Sequence, residues 1–160
     1  MNQQIKVFWH AYLDSLPPNA DKPASMPEAW HFCNDEESAN HLAELTLAGT
    51  KRATAGALWS YEAEGEPIPQ PGDLSIIINW DEEPVCIIET TQLDIVPFNQ
   101  VSEEFARVEG EGDKSLAYWK KVHWEFFTEE MQALGREAVE TMPVACERFR
   151  VVYPDSAVQS

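Results

Sequence analysis

Apolar residues at Ile5, Phe8, Trp9, Tyr12, Leu13 and Leu16 recur at helical spacing until Pro17-Pro18 stops them, which predicts an amphipathic first helix. The stretch 19–27 is proline-rich and polar and reads as a connector. Asn34 with Glu37 has the spacing of a helix cap with its reciprocal glutamate. Behind it Ala39, Leu42, Ala43, Thr46 and Leu47 continue one face up to Gly49, predicting helix over 35–48. Residues 50–59 read as a tight loop running into a short helix, and Pro67, Pro69, Pro71 and Gly72 then break the chain. β-branched residues dominate 74–80 and 85–93, with Asp81 to Pro84 between them as a hairpin loop. Ser102 is placed to cap a short helix reaching Val108, and the acidic, glycine-containing segment 109–113 has no periodicity. Leu116, Trp119, His123, Phe127, Met131 and Leu134 then mark a long helix ending near Gly135. A last strand is expected over 144–153, followed by a small polar tail. Segregated helices and antiparallel strands predict an α+β fold, and 160 residues suit one domain.

Composition narrows the function. The chain has 28 acidic against 11 basic residues, a net charge of −17, and such a field repels phosphate polymers over most of a surface. A general nucleic-acid coating protein is therefore disfavoured. No apolar run approaches the ~20 residues of a membrane span, and the N-terminus lacks the pattern of a secretion signal. Cys33, Cys86 and Cys146 are odd in number and include no Cys-x-x-Cys pair, which argues against a disulfide framework and a thiolate zinc site. A cytoplasmic protein with no membrane partner is expected.

Nucleotide-binding glycine motifs, a Walker loop, His-Glu-x-x-His and Gly-x-Ser-x-Gly are all missing. His10, His31, His41 and His123 are scattered without a second ligand at metal spacing, so no metal and no cofactor are expected. His123, on the apolar side of its helix, reads as a satisfied core imidazole. Lys51 and Thr54, three apart, would share a face in a helical turn, and an amine beside a hydroxyl is a possible nucleophile pair. A capping lysine and a capping threonine are the plain alternative. Glu89 interrupts the apolar run Val85 to Ile88, on the face of Ile87 and Thr91, and is either solvated or paired with a lysine such as Lys51. Trp59 and Tyr61 can stack on a base or simply pack. Glu109, Glu111 and Asp113 read as a solvated acidic loop, and Ser115 as a first-turn helix residue whose hydroxyl can line a cleft.

Gly49-x-Lys51-x-x-Thr54, the strand Val85 to Glu89, the stretch Glu109 to Leu116 with Trp119 and His123, and Cys146-Glu147-Arg148-Phe149 together resemble the ASCH domain. This family's fold is a β-barrel related to the PUA-like RNA-binding fold. The resemblance implies a β-barrel with helices packed around it. The division is then an N-terminal helix and connector over 1–29, the ASCH domain over 30–153 and a tail over 154–160. Cys33, after Phe32, stands where relatives often carry glycine. Small bacterial relatives look like N(4)-acetylcytidine amidohydrolases using a lysine, a threonine and a glutamate, at positions matching Lys51, Thr54 and Glu89. In that reading Thr54 attacks the acyl carbon, Lys51 takes its proton and Glu89 holds Lys51. Arg52, Trp59, Tyr61 and Ser115 line the substrate. Longer relatives are described as ribonucleases, metal-independent or metal-assisted, which implies Lys51 with Ser115. The third expectation is a module that binds short RNA or a modified nucleotide without turning it over. The implied partner is a nucleoside or short RNA, and the −17 charge favours the neutral nucleoside.

Overall fold

The structure, a computed structural model, describes residues 2–33 and 35–154. These form five α-helices, a 3-10 turn at Phe98–Gln100 and five strands. The strands are β1 (Ala29–Trp30), β2 (Ala53–Ala57), β3 (Leu74–Ile78), β4 (Pro84–Pro97) and β5 (Pro143–Tyr153). They make one mixed sheet in the order β1-β3-β4-β5-β2. The α+β expectation holds, but the closed barrel does not: the sheet is open, and β1 is only two residues long and pairs in parallel with β3.

The helices are α1 (Gln3–Ser15), α2 (Glu36–Leu47), α3 (Leu58–Glu64), α4 (Glu103–Glu109) and α5 (Leu116–Ala133). Ser102 caps α4 as expected, its hydroxyl accepting from the Phe105 amide at 3.0 Å. Asp35 caps α2 by accepting from the Ser38 amide, while the expected cap, Asn34, lies outside the described residues. So does the tail beyond Pro154. Cys33 adopts φ 58°, a left-handed conformation that glycine enters without strain.

Residues 53–57 overturn the reading of 50–59 as a loop and helix. Ala53 to Ala57 pair antiparallel with Arg148 to Val144, and helix begins only at Leu58. The short side chains are helix-compatible by themselves, and the ladder with β5 outweighs that preference. Lys51 and Thr54 therefore do not share a helical turn.

The chain divides into two compact units, neither contiguous in sequence. Unit 1 takes the described residues of Met1–Gly49, Asp73–Glu89 and Arg150–Ser160; unit 2 takes Thr50–Gly72 and Thr90–Phe149. In unit 1, Ile5, Trp9 and Tyr12 of α1 pack with Ile76, Ile78 and Ile87, and Tyr153 meets Phe8 and Tyr12 edge-on. In unit 2, Phe98, Phe105, Trp119, Phe127 and Met131 pack with Ala53, Ala57, Val144 and Cys146. Both cores follow the periodicities of their helices and strands.

Candidate functional site

Within unit 2, α4 ends at Glu109 and Gly110 (φ 71°) turns the chain toward Asp113, before Ser115 starts α5. A β-carbon on Gly110 would collide with the carbonyl oxygen of Thr50. Glycine at this position thus lets the 109–111 segment lie directly on the backbone that leads into Lys51. Arg52 fixes the approach, its amide donating to the Val108 carbonyl at 2.9 Å.

Lys51 is 1% exposed, and its ammonium donates to Glu111 Oε2 at 2.7 Å and to Glu109 Oε2 at 3.3 Å. Glu109 is fully buried and accepts from Trp119 Nε1 at 2.8 Å. His123 Nε2 lies 3.4 Å from Glu109 Oε2, while its Nδ1 is 2.9 Å from the Trp119 carbonyl. If Nδ1 donates to that carbonyl, Nε2 can donate to Glu109 only as an imidazolium. The Trp119 ring stacks on the imidazole at 4.1 Å and fixes its plane. Two residues four apart on α5 thus present a donor pair to one carboxylate.

Ionisation follows from these contacts. Burial opposes the charge on Lys51, but Glu109 and Glu111 outweigh it and raise its pKa. Burial likewise disfavours a charged Glu109, yet His123 and Lys51 hold it well below the usual carboxylate range. Burial lowers and Glu109 more than restores the His123 pKa, which ends above its ordinary value. Glu111 is raised, chiefly by burial, with Lys51 pulling it down and Glu109 pushing it up. At 16% exposure Glu111 is also the rim of the cluster. The group is an ammonium backed by a locked carboxylate and fronted by a carboxyl whose pKa burial raises above its ordinary value.

Glu109, Glu111 and His123 also bring three ligand atoms within 4.8 Å of one another, a set able to hold a cation. Lys51 Nζ already rests against both carboxylates, so a metal ion there would have to displace the ammonium. Two sequence readings are corrected. The 109–113 segment is not simply a solvated loop, because only its Asp113 end is exposed and Glu109 is sealed in. His123 is more than a core imidazole with one hydrogen bond.

A family model described as the ASCH domain matches residues 28–153. The chain belongs to the ASCH domain family. The family is PUA-like and is associated with RNA binding or hydrolase activity. A crystal structure of an ASCH domain from Lactobacillus crispatus JV V101 is 43% identical, with 96% of each chain covered and a TM-score of 0.90. A protein from Enterococcus faecalis V583 is 36% identical, covering 95% of this chain and 90% of that one, with a TM-score of 0.85. No curated protein matches the chain.

Elsewhere in this ASCH domain the expected site residues have definite places. Thr54 is half-buried on β2, opposite Glu147 of β5. Glu89 is half-buried in unit 1, and its Oε1 accepts from Arg150 Nη2 at 2.6 Å and Nε at 3.1 Å. The partner expected for it, Lys51, has two carboxylates of its own. Arg52 is exposed. Trp59 carries the Arg136 guanidinium 3.8 Å over its ring, which occupies one stacking face. The Tyr61 ring lies on Gly56, and burial with nearby carboxylates pushes its phenol up to about 12. The Ser115 hydroxyl caps α5, accepting from the Tyr118 amide at 3.1 Å. Burial pushes the Cys86 and Cys146 thiols up to about 12, so neither supplies a thiolate nucleophile. No helix among the described residues is long and apolar enough to cross a membrane.

Proposed function

We propose that this ASCH domain is a hydrolase of the amide in an acylated cytidine-like nucleoside, with Lys51 and Glu111 as its charged pair and Thr54 as nucleophile. One observation carries the reading: the buried Lys51 ammonium bonded at 2.7 Å to a carboxylate that sits at the rim. An ammonium held protonated cannot take a proton from threonine, so its part is to donate to the oxyanion of the tetrahedral intermediate. Proton transfer falls to Glu111, whose raised pKa brings it toward the working range of a general acid and base. Thr54 Oγ1 bonds to the acyl carbon while Glu111 takes its proton. Glu111 returns that proton to the departing cytidine amine as the C–N bond breaks, and water then releases the acid from threonine. Lys51 thus changes role from the base expected of it, and Glu111 stands where Glu89 was expected. Support for a nucleoside over a polymer comes from the −17 net charge, which a neutral substrate does not feel.

The test is incubation of the purified chain with N(4)-acetylcytidine and, separately, with structured RNA, followed by chromatography. Release of cytidine is expected, with turnover lost at least ~100-fold in Lys51→Ala, Thr54→Ala and Glu111→Gln. An acetylated Thr54 peptide should be trapped by rapid quench and mass spectrometry. RNA cleavage with the acetylated nucleoside untouched overturns the reading.

A further inference from the structure

Glu147 is a buried carboxylate that the proposed chemistry leaves unused, and it lies on the strand beside Thr54. We propose that Glu147 is the positioning residue for the Thr54 hydroxyl, an inference that rests on the hydrolase reading above. In the β2–β5 ladder Thr54 stands directly opposite Glu147. Opposed residues of an antiparallel pair project from the same face with β-carbons roughly 4.5–5.5 Å apart. A glutamate opposite a threonine therefore has the reach to accept from its hydroxyl.

Glu147 is only 4% exposed, and a carboxylate is not buried without partners that hold it. Thr90 is one, its Oγ1 donating to Glu147 Oε2 at 2.7 Å. That bond ties one oxygen of the carboxylate to β4. Gly56 follows Thr54 on the same face of β2, and the Tyr61 ring occupies the space that a β-carbon there would need. Tyr61 feels the charge of Glu147, which is one of the causes of its raised pKa, so ring and carboxylate belong to one neighbourhood. The Thr54 face is thus bordered by an aromatic ring and a buried carboxylate.

Threonine is a weak nucleophile whose lone pair must be aimed as well as activated. In the resting enzyme the hydroxyl donates its single proton across the ladder to Glu147, which holds Oγ1 in place, and the proton turns to Glu111 only as the acyl carbon is attacked. Acting through Thr54, Glu147 moves no atom of the substrate.

The experiment has two arms on the full chain. The first follows N(4)-acetylcytidine turnover in Glu147→Gln, Glu147→Asp and Thr90→Val. Expected are a kcat loss of about 100-fold in Glu147→Gln with KM unchanged, partial recovery in Glu147→Asp, and a smaller kcat loss in Thr90→Val. The second needs no turnover. The Glu147 carboxyl is titrated by carbon NMR in wild type and in Thr54→Val, which leaves Glu147 itself intact. Loss of a hydroxyl donor to the charged form should raise the midpoint in the variant. An unchanged midpoint overturns the proposal even if Glu147→Gln fails to fold. So does wild-type kcat in a folded Glu147→Gln while the wild type hydrolyses the nucleoside, and that result leaves the hydrolase reading standing. A wild type with no hydrolysis ends both.

Discussion

The two compact units bury different things. Unit 1 closes over isoleucines and the aromatic face of α1, and Thr46 is the one buried polar side chain among its described residues. Its Glu89–Arg150 pair stays near solvent, with Arg150 66% exposed. Unit 2 buries Lys51, Glu109, Thr90 and Glu147. Taking an ion out of water costs several kcal/mol, so such groups persist only where partners satisfy them. Every buried side-chain polar atom among the described residues has one. Unit 1 therefore keeps its ion pair near solvent, while unit 2 holds charges in a low-dielectric setting where each interaction is stronger.

The largest expected effect comes from breaking the ion cluster. Glu109→Gln keeps the shape and an acceptor for Trp119 but leaves Lys51 and His123 without the carboxylate between them. Removing one partner from a buried pair costs about 3–5 kcal/mol, which urea unfolding should show. Glu89→Gln in unit 1 removes a partly solvated pair and should cost no more than about 1 kcal/mol. Adding Lys51→Met to Glu109→Gln should restore part of the loss, since the buried ammonium, held by Glu111 at 2.7 Å after the loss of Glu109, is then removed. Equal effects at Glu109 and Glu89 would erase the distinction between the units.

Next comes the glycine that permits the close approach. Gly65 and Gly110 both end helices in the left-handed conformation, at φ 66° and 71°. Gly65→Ala meets open space and should cost about 1 kcal/mol, the ordinary left-handed penalty. Gly110→Ala adds a collision with the Thr50 backbone and should cost about 2 kcal/mol or more. It should also pull the 109–111 segment off Lys51. Matching melting points for the two variants would mean that the Lys51 cluster does not depend on this contact.

Sequence periodicity exposes most of this architecture. α1, α2, α5 and the strands β3 to β5 follow from the pattern of their apolar residues, because one face of each is buried, and α4 follows from its Ser102 cap. It misses β2, where Ala53, Ala55, Gly56 and Ala57 carry no strand signal and the pairing with β5 decides the conformation. It misses β1 for the same reason, at two residues. Lys51 is legible as a candidate because a lysine in a short glycine-bounded motif is conspicuous. Its partners are not, since Glu109 and Glu111 are 58 and 60 residues away and only the chain turn at Gly110 brings them in. Alternation on β4 draws attention to Glu89, whereas Glu147, which interrupts β5 in the same way, becomes informative only once the register pairs it with Thr54. The i, i+4 pair Trp119 and His123 is visible on the helix, but which carboxylate it serves is tertiary information.

The finest test of the contrast is pH. His123 has its pKa above the ordinary 6.5 because Glu109 favours the imidazolium more than burial disfavours it. A raised folded-state value means that the native protein holds the proton more tightly than the unfolded chain. The stabilisation is complete below about pH 6.5 and disappears as pH rises through the raised value. Unfolding free energy should therefore decline across that window in wild type, and His123→Gln should flatten the decline. Glu89→Gln should leave the slope untouched, as that carboxylate has no part in the cluster. A slope that persists in His123→Gln would assign it to another group and leave the imidazole neutral, in which case the hydrogen to Glu109 Oε2 can come from Nε2 only if Nδ1 has given up its own toward Trp119.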